Sequence, residues 1–247
     1  MTNSLLLFGL HTVTALLEKQ PERVKRLSIQ ESRQDKKVLA LVELATQRGI
    51  PIEYHDKAAL DAMTQSANHQ GVLAFCAPSQ VYAESDLPNL LSSLTQPAFI
   101  LVLDGVQDPH NLGACFRSAD AAGVHAILAP KDKSVGITPT VSKVASGATE
   151  TIPFVQVTNL VRALETLKSL GIWIYGTDAD ASQTLYQTSL TGPLALVLGA
   201  EGAGMRRLTK EHCDVLIHIP MQGYVSSLNV SVAAGVCLFE VVRQRQA

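Results

Sequence analysis

Along the 247-residue chain, apolar positions switch repeatedly between a two-residue and a three-to-four-residue spacing. Val24–Ile29 alternates at strand period, whereas Lys36–Arg48 carries apolar residues at 38, 39, 41, 42, 44 and 45, the pattern of a buried amphipathic helix closed by Gly49. Gly9–Leu17 reads as the start of a short helix. Ile50–Tyr54 and Gly71–Phe75 read as short strands, with a helix over Ala58–Met63 between them. Residues 1–77 are therefore expected to form a small α/β unit.

Residues 78–97 read as a linker: prolines and serines cluster there and both charges, Glu84 and Asp86, are acidic, although Leu87–Leu94 has helical character. From Ala98 the texture changes. AFILVLDG is a continuous apolar run, as expected of a central parallel strand covered on both faces. Further strands are expected at 125–129, 152–157, 172–176, 194–198 and 215–219, and helices at 113–122, 138–146, 160–170 and 205–212. The alternation predicts a doubly wound α/β sheet over 98–247. The last segment, Ser227–Val242, is apolar or small on nearly every side and holds one charge, Glu240. A helix of that kind needs burial all round, which a second subunit or the rest of the chain must supply.

Composition narrows the partners. Twenty Lys and Arg against 22 Asp and Glu give a net charge of −2, so no global basic field points to nucleic acid. The split is nine basic to eight acidic in 1–77, none to two in 78–97 and eleven to twelve in 98–247. Any nucleic acid must be met by a local patch. Cys76, Cys115, Cys213 and Cys237 stand far apart with no CxxC or Cys/His cluster, so a reduced compartment and no metal are expected. The start, MTNSLLLFGLH, has four consecutive apolar residues and no basic flank, unlike a signal peptide, and no run is long enough to span a bilayer. A cytoplasmic protein without membrane partners is expected.

Neither GxGxxG, a P-loop nor a GxSxG elbow is present. Three other junctions follow predicted strands, where an open α/β sheet gathers its ligands. DPHNLGACFR places Asp108, Pro109 and Asn111 in a turn and cap, with Arg117 a turn or two into the helix. LVLGAEGAGMRRL offers three glycines for close backbone approach, Glu201 at the mouth, and Arg206 and Arg207 for phosphate or solvent. IPMQGYVSSLNVSVAAG sets Ser226, Ser227, Asn229 and Ser231 in an otherwise apolar stretch, and buried polar groups need hydrogen-bond partners.

Together and in this order, NLGACFR (111–117), LVLGAEGAGM (196–205) and IPMQGYVSSLNVSVAAG (219–235) resemble the three signature motifs of the SpoU/TrmH-type ribose 2'-O-methyltransferases of the SPOUT superfamily. FGLH (8–11) and HQGVLAF (69–75) resemble the substrate-binding domain found in part of that family, so the resemblance covers nearly the whole chain. It is greatest toward bacterial members that methylate a guanosine ribose of 23S rRNA. The implied fold is an α/β SPOUT-type parallel sheet with a carboxy-terminal trefoil knot, preceded by a small ribosomal-protein-like α/β domain that binds RNA. General rules of chain connection would exclude a threaded strand.

The resemblance further implies that S-adenosylmethionine lies in the knot, held by backbone at Gly176, Thr177, Leu198, Gly199, Gly202, Ile219, Met221 and Leu228. It gathers Asn111, Arg117, Glu201, Ser227 and Asn229 as catalytic residues. Methyl transfer to a hydroxyl is an in-line displacement, so alignment supplies much of the rate. Arg117 is the family's proposed base or base partner, yet lowering a guanidinium from about 12 to about 7 would cost roughly 7 kcal/mol. It is better suited to binding phosphate and stabilising oxyanion charge, with Glu201 able to fix it by a bidentate pair. His11, Arg23, Lys25, Arg26 and Arg33 are the candidate RNA contacts. The implied partners are 23S rRNA or an assembling large ribosomal subunit, and a second copy joined through the knotted domain. Transfer RNA methylation and non-catalytic ribosome assembly remain the alternatives.

Overall fold

Two packed units account for residues 5–246, the part of the chain described by the computed structural model. The chain forms strands β1 (Leu5–Phe8), β2 (Val24–Gln30), β3 (Ile52–His55) and β4 (Val72–Cys76) with helices α1 (Leu10–Lys19), α2 (Lys36–Gln47) and α3 (Lys57–Met63). It continues through β5 (Val81–Tyr82), α4 (Leu87–Ser92), β6 (Phe99–Asp104), α5 (Pro109–Ala121), β7 (Ala126–Pro130), α6 (Pro139–Val144) and β8 (Phe154–Val157). The remainder is α7 (Leu160–Ser169), β9 (Trp173–Thr177), β10 (Gln183–Thr184), β11 (Leu194–Gly199), α8 (Arg207–Glu211), β12 (Val215–His218) and α9 (Val230–Gln246).

Of the described residues, the first unit comprises 5–79 together with 137–151. Its sheet runs β1-β4-β2-β3, and α1 and α2 bury Leu16, Leu17, Val38 and Leu41 against Leu27, Ile29 and Val72. Asp35 and Asp56 cap α2 and α3 by accepting from the backbone N–H groups of Val38 and Ala59. The apolar run at Leu5–Phe8 is an edge strand antiparallel to β4. The leader reading of the first eleven residues included residues 1–4, which lie outside the described residues.

Segment 137–151 departs from the expected partition, since the sequence places it within 98–247. Its Gly147 has φ +99° and lies so close to α1 that a Cβ would stand 2.6 Å from the Ala15 Cβ. Glu150, with no exposed side-chain surface, pairs with Arg23, and its carbonyl accepts from Gln20 Nε2 at 2.9 Å.

The second unit comprises 80–136 and 152–246 of the described residues. Its eight strands are ordered β10-β12-β9-β11-β6-β7-β8-β5, and the neighbours pair in parallel. All six residues of β6 are buried between β11 and β7, as the uninterrupted apolar run predicted. Ile100, Val102, Leu128 and Val155 pack with Leu160, Leu164 and Leu167 of α7 and with Leu87 of α4. Much of the expected linker thus belongs to this sheet and its covering helices. Because side chains alternate along a strand, Leu101 and Leu103 point to the opposite face, where α9 lies on β11 and against α5.

Helix α9 starts at Val230, three residues later than expected. It buries Ala234, Cys237, Leu238 and Val241 but leaves Val232 and Phe239 about half exposed, so the chain itself covers one face of the helix only.

Candidate active site

Parallel strands place all their carboxyl ends on one edge, and the three junctions singled out in the sequence follow β6, β11 and β12 there. After β6, Asp108 accepts from the His110 N–H at 2.7 Å and caps α5, with Pro109 at the first helical position. Helix α5 therefore starts four residues earlier than read from the sequence, and Asn111 is a first-turn residue rather than the cap. Arg117 lies six residues further, about 240° round the helix. It is exposed, and among the described residues its side chain has no hydrogen-bond or ion-pair partner.

The loop after β11 folds back on itself. Ala200 and Gly204 exchange backbone hydrogen bonds of 3.1 and 2.9 Å, with Gly202 at φ +73° and Gly204 at +66°. The return strand crosses directly over Gly199, where a Cβ would stand 2.0 Å from the Gly204 carbonyl carbon. Its far end is fastened by the fully buried Asp104 carboxylate, which accepts from the Arg206 N–H at 2.9 Å and from Arg206 Nε at 2.6 Å. Arg207 pairs with Glu211 in its own helix. Both arginines left open in the sequence are thus engaged within the chain.

The third junction reaches back to the other two. Asn229 caps α9: its Oδ1 accepts from the Ser231 N–H at 2.9 Å and from Ser231 Oγ at 2.6 Å. Its Nδ2 donates to Asn111 Oδ1 at 2.9 Å and also to Glu201 Oε1. Glu201 therefore pairs with Asn229, and the bidentate Glu201–Arg117 contact anticipated from the sequence is absent among the described residues.

These loops enclose a cleft of about 600 Å³. Thr177, Leu198, Gly199, Gly202, Ile219, Met221 and Leu228 line it, as do Glu201, Ser227 and Asn229. Gly176 does not. It is buried on the other side of β9, where a Cβ would stand 2.6 Å from Cys213 Sγ, so its smallness serves packing. Gly204, one of the three glycines read from the loop sequence, lines the cleft as well; sequence reasoning missed Asp178 and His218, which also line it, although His218 could have been inferred from its place at a strand end. Burial raises and the Lys210 ammonium lowers the Asp178 carboxyl, leaving it below the ordinary carboxylate value. The described lining contains two carboxylates and no lysine or arginine, while its walls are apolar side chains and glycine backbone. Such a cleft fits a cation attached to a flat, weakly polar ring. Buried His218 Nδ1 has no partner among the described residues, leaving one further hydrogen-bonding position on the wall.

A family model described as the SpoU rRNA Methylase family matches residues 98–239, and one described as RNA 2'-O ribose methyltransferase substrate binding matches 6–82. The chain belongs to the SpoU rRNA methylase family. Among its SpoU relatives, the 23S rRNA (guanosine-2'-O-)-methyltransferase RlmB of Escherichia coli is 55% identical, covering 97% of this chain and 98% of that protein. The protein of the same description from Pseudomonas putida is 54% identical, covering 97% and 96%. The SpoU methyltransferase AviRb of Streptomyces viridochromogenes, solved with the cofactor AdoMet, superposes with a TM-score of 0.80 at 24% identity, covering 98% of this chain and 91% of that one. That likeness shows the fold.

The candidate RNA contacts of the SpoU chain's first unit differ in their exposure. Arg23 is largely enclosed, bonded to Glu150, Gln20, Ser79 Oγ and the Ala77 carbonyl. Its role is structural, which corrects its reading as an RNA contact. Arg26 pairs with Glu53 and lies 4.0 Å from the Phe75 ring centroid. Arg33 pairs with Asp35, while His11 and Lys25 are exposed.

Proposed function

We propose that this SpoU-family chain transfers the methyl group of S-adenosylmethionine to the ribose 2'-hydroxyl of a guanosine in 23S rRNA, a step of ribosome maturation. The observation that carries the reading is the Asn111–Asn229–Glu201 cluster, which ties all three motifs together at the mouth of the cleft. The cleft's carboxylates, glycine backbone and apolar walls suit a sulfonium attached to a purine nucleoside. When bound, the cofactor supplies an electrophilic methyl group.

The remaining work falls to the chain. Asn229 and Glu201 present fixed polar groups beside exposed Ser227, positioned to orient a ribose. Arg117, without a side-chain partner among the described residues, is assigned to the target phosphate and to developing negative charge on the ribose oxygen. Proton removal is assigned to a neighbour of Arg117 or to water. His11, Lys25, Arg26 and Arg33 are assigned to RNA, within an amino-terminal RNA-binding domain of residues 1–77.

The proposal includes a knotted, homodimeric, cytoplasmic enzyme. The position of β12 between β10 and β9, with the following segment lining the cleft beside the Thr177 and Gly199 loops, supports threading. Exposed Val232 and Phe239 on α9 support burial by a second copy. Among the described residues no helix is long and apolar enough to cross a membrane.

The test is methyl transfer from labelled S-adenosylmethionine to 23S rRNA and to transfer RNA, followed by mapping of 2'-O-methyl groups. One modified guanosine in 23S rRNA is expected. Modification of transfer RNA alone, or of neither, overturns the reading.

A further inference from the structure

We infer that Lys131 and Lys133 form a phosphate-binding rim beside the cleft, holding the RNA strand next to the target nucleotide along the carboxyl edge of the sheet. The inference rests on the reading of the cleft as an RNA methylation site. It begins from the second unit's ten lysines and arginines. Arg162, Lys168, Arg206, Arg207, Lys210 and Arg243 pair with acids, and Arg245 donates to the carbonyls of Pro97, Ala98 and Gly192. Among the described residues the side chains of the other three, Arg117, Lys131 and Lys133, have no hydrogen-bond or ion-pair partner. In a unit whose ten basic and 13 acidic residues leave a net charge of −3, these are the cations left to meet an anion.

Two of the three sit beside the cleft. The loop after β7 is held against the first motif by the Val135 N–H, which donates to the Val106 carbonyl at 3.0 Å. A Cβ on Gly105 would stand 3.7 Å from the Lys133 carbonyl and 3.8 Å from the Cβ of Ala200, which lines the cleft. The backbone of Lys133 and the wall of the cleft therefore touch the same glycine. Lys131 follows directly on β7, two strands from β11, or about 10 Å at the usual strand spacing. Beyond it lies a recess of about 450 Å³ lined by Lys131, Gln156, Thr158 and the Glu84–Arg162 ion pair, which offers polar groups to an adjoining nucleotide.

The backbone adds a further sign. Lys133 has φ +57°, a left-handed conformation that glycine or asparagine adopts at lower cost. Local sterics therefore do not account for a lysine here, whereas an ammonium directed at an anion does. Asp132 lies between the two lysines, so the loop carries a net charge of +1 and binds through placement rather than bulk field.

The experiment uses the full chain and a labelled 23S rRNA fragment, with affinity measured across a salt series for wild type, Lys131→Gln, Lys133→Gln, the double variant and Arg207→Gln as a charge-matched control. Each phosphate contact to single-stranded RNA contributes about 0.7 to the slope of log affinity against log salt. The slope should fall by about 0.7 in each single lysine variant and about 1.4 in the double variant, with RNA affinity down about tenfold at low salt. S-adenosylmethionine affinity, read by calorimetry, should be retained and reports that the variants fold. An unchanged slope in the double variant, or an equal fall in Arg207→Gln, overturns the rim. If wild type neither binds nor methylates the fragment, the active-site reading fails as well; if it does both and the lysine variants match it, only the rim fails.

Discussion

Asn229 donates a 2.9 Å hydrogen bond to Asn111 across 118 residues of sequence, and the same amide nitrogen is bonded to Glu201. One side chain thus caps α9 with its oxygen and joins three loops with its nitrogen. Asn229→Asp preserves the cap but places a carboxylate against Glu201. Methyl transfer should fall at least tenfold while the melting temperature changes little, and Glu201→Gln in the same chain should restore part of the rate by removing the repulsion. Rates from labelled cofactor, with thermal melts alongside, check this. Full activity in Asn229→Asp would remove the amide nitrogen from the mechanism.

Gly199 and Gly202 lie in one loop for different reasons. At Gly199 a Cβ would overlap the returning backbone, 2.1 Å from the Met205 nitrogen, whereas at Gly202 nothing stands within 4 Å and only the φ of +73° disfavours a side chain. Gly199→Ala must displace the loop and is expected to abolish S-adenosylmethionine binding in calorimetry. Gly202→Ala should cost only about 1 kcal/mol of stability and leave binding measurable.

Arg23 and Glu150 test the distinction between an RNA contact and a structural ion pair. Removing one partner of a buried pair strands the other's charge, at about 3 kcal/mol or more. Arg23→Ala should lower the urea midpoint by that equivalent, and Arg23→Ala with Glu150→Ala should recover part of it. Lys25→Ala, by contrast, should weaken RNA binding.

The thiols set a pH limit. Burial pushes Cys115, Cys213 and Cys237 up to about 12 and Cys76 up to about 11, from an ordinary value near 9. Raised folded values mean that this stabilisation is complete below about pH 9 and is lost as the pH rises toward 11 to 12. The melting temperature should therefore fall above pH 9. At pH 8 the native protein should react negligibly with a thiol-disulfide reagent, and the denatured chain should show four thiols.

Sequence by itself determined the strongly patterned elements: the buried run of β6, the amphipathic stripe of α2, the order of strands and helices in the second unit, and the motif residues that line the cleft. These are local properties, because period and capping chemistry act over a few residues. It also marked Glu201, Ser227 and Asn229, since polar groups in glycine-rich or apolar stretches call for partners. Tertiary structure decided what depends on distant neighbours. Strands β5 and β10 are two residues long and exist only through pairing with β8 and β12. Segment 137–151 joins the first unit through Gly147 and Glu150, which no local pattern announces. Gly176 turns its small face to Cys213 rather than to the cleft, and Glu201 takes Asn229 as its partner in place of Arg117. Hydrogen bonds and close contacts between residues a hundred positions apart have no periodic trace in the chain, so their partners emerge only when the sheet brings its carboxyl ends together.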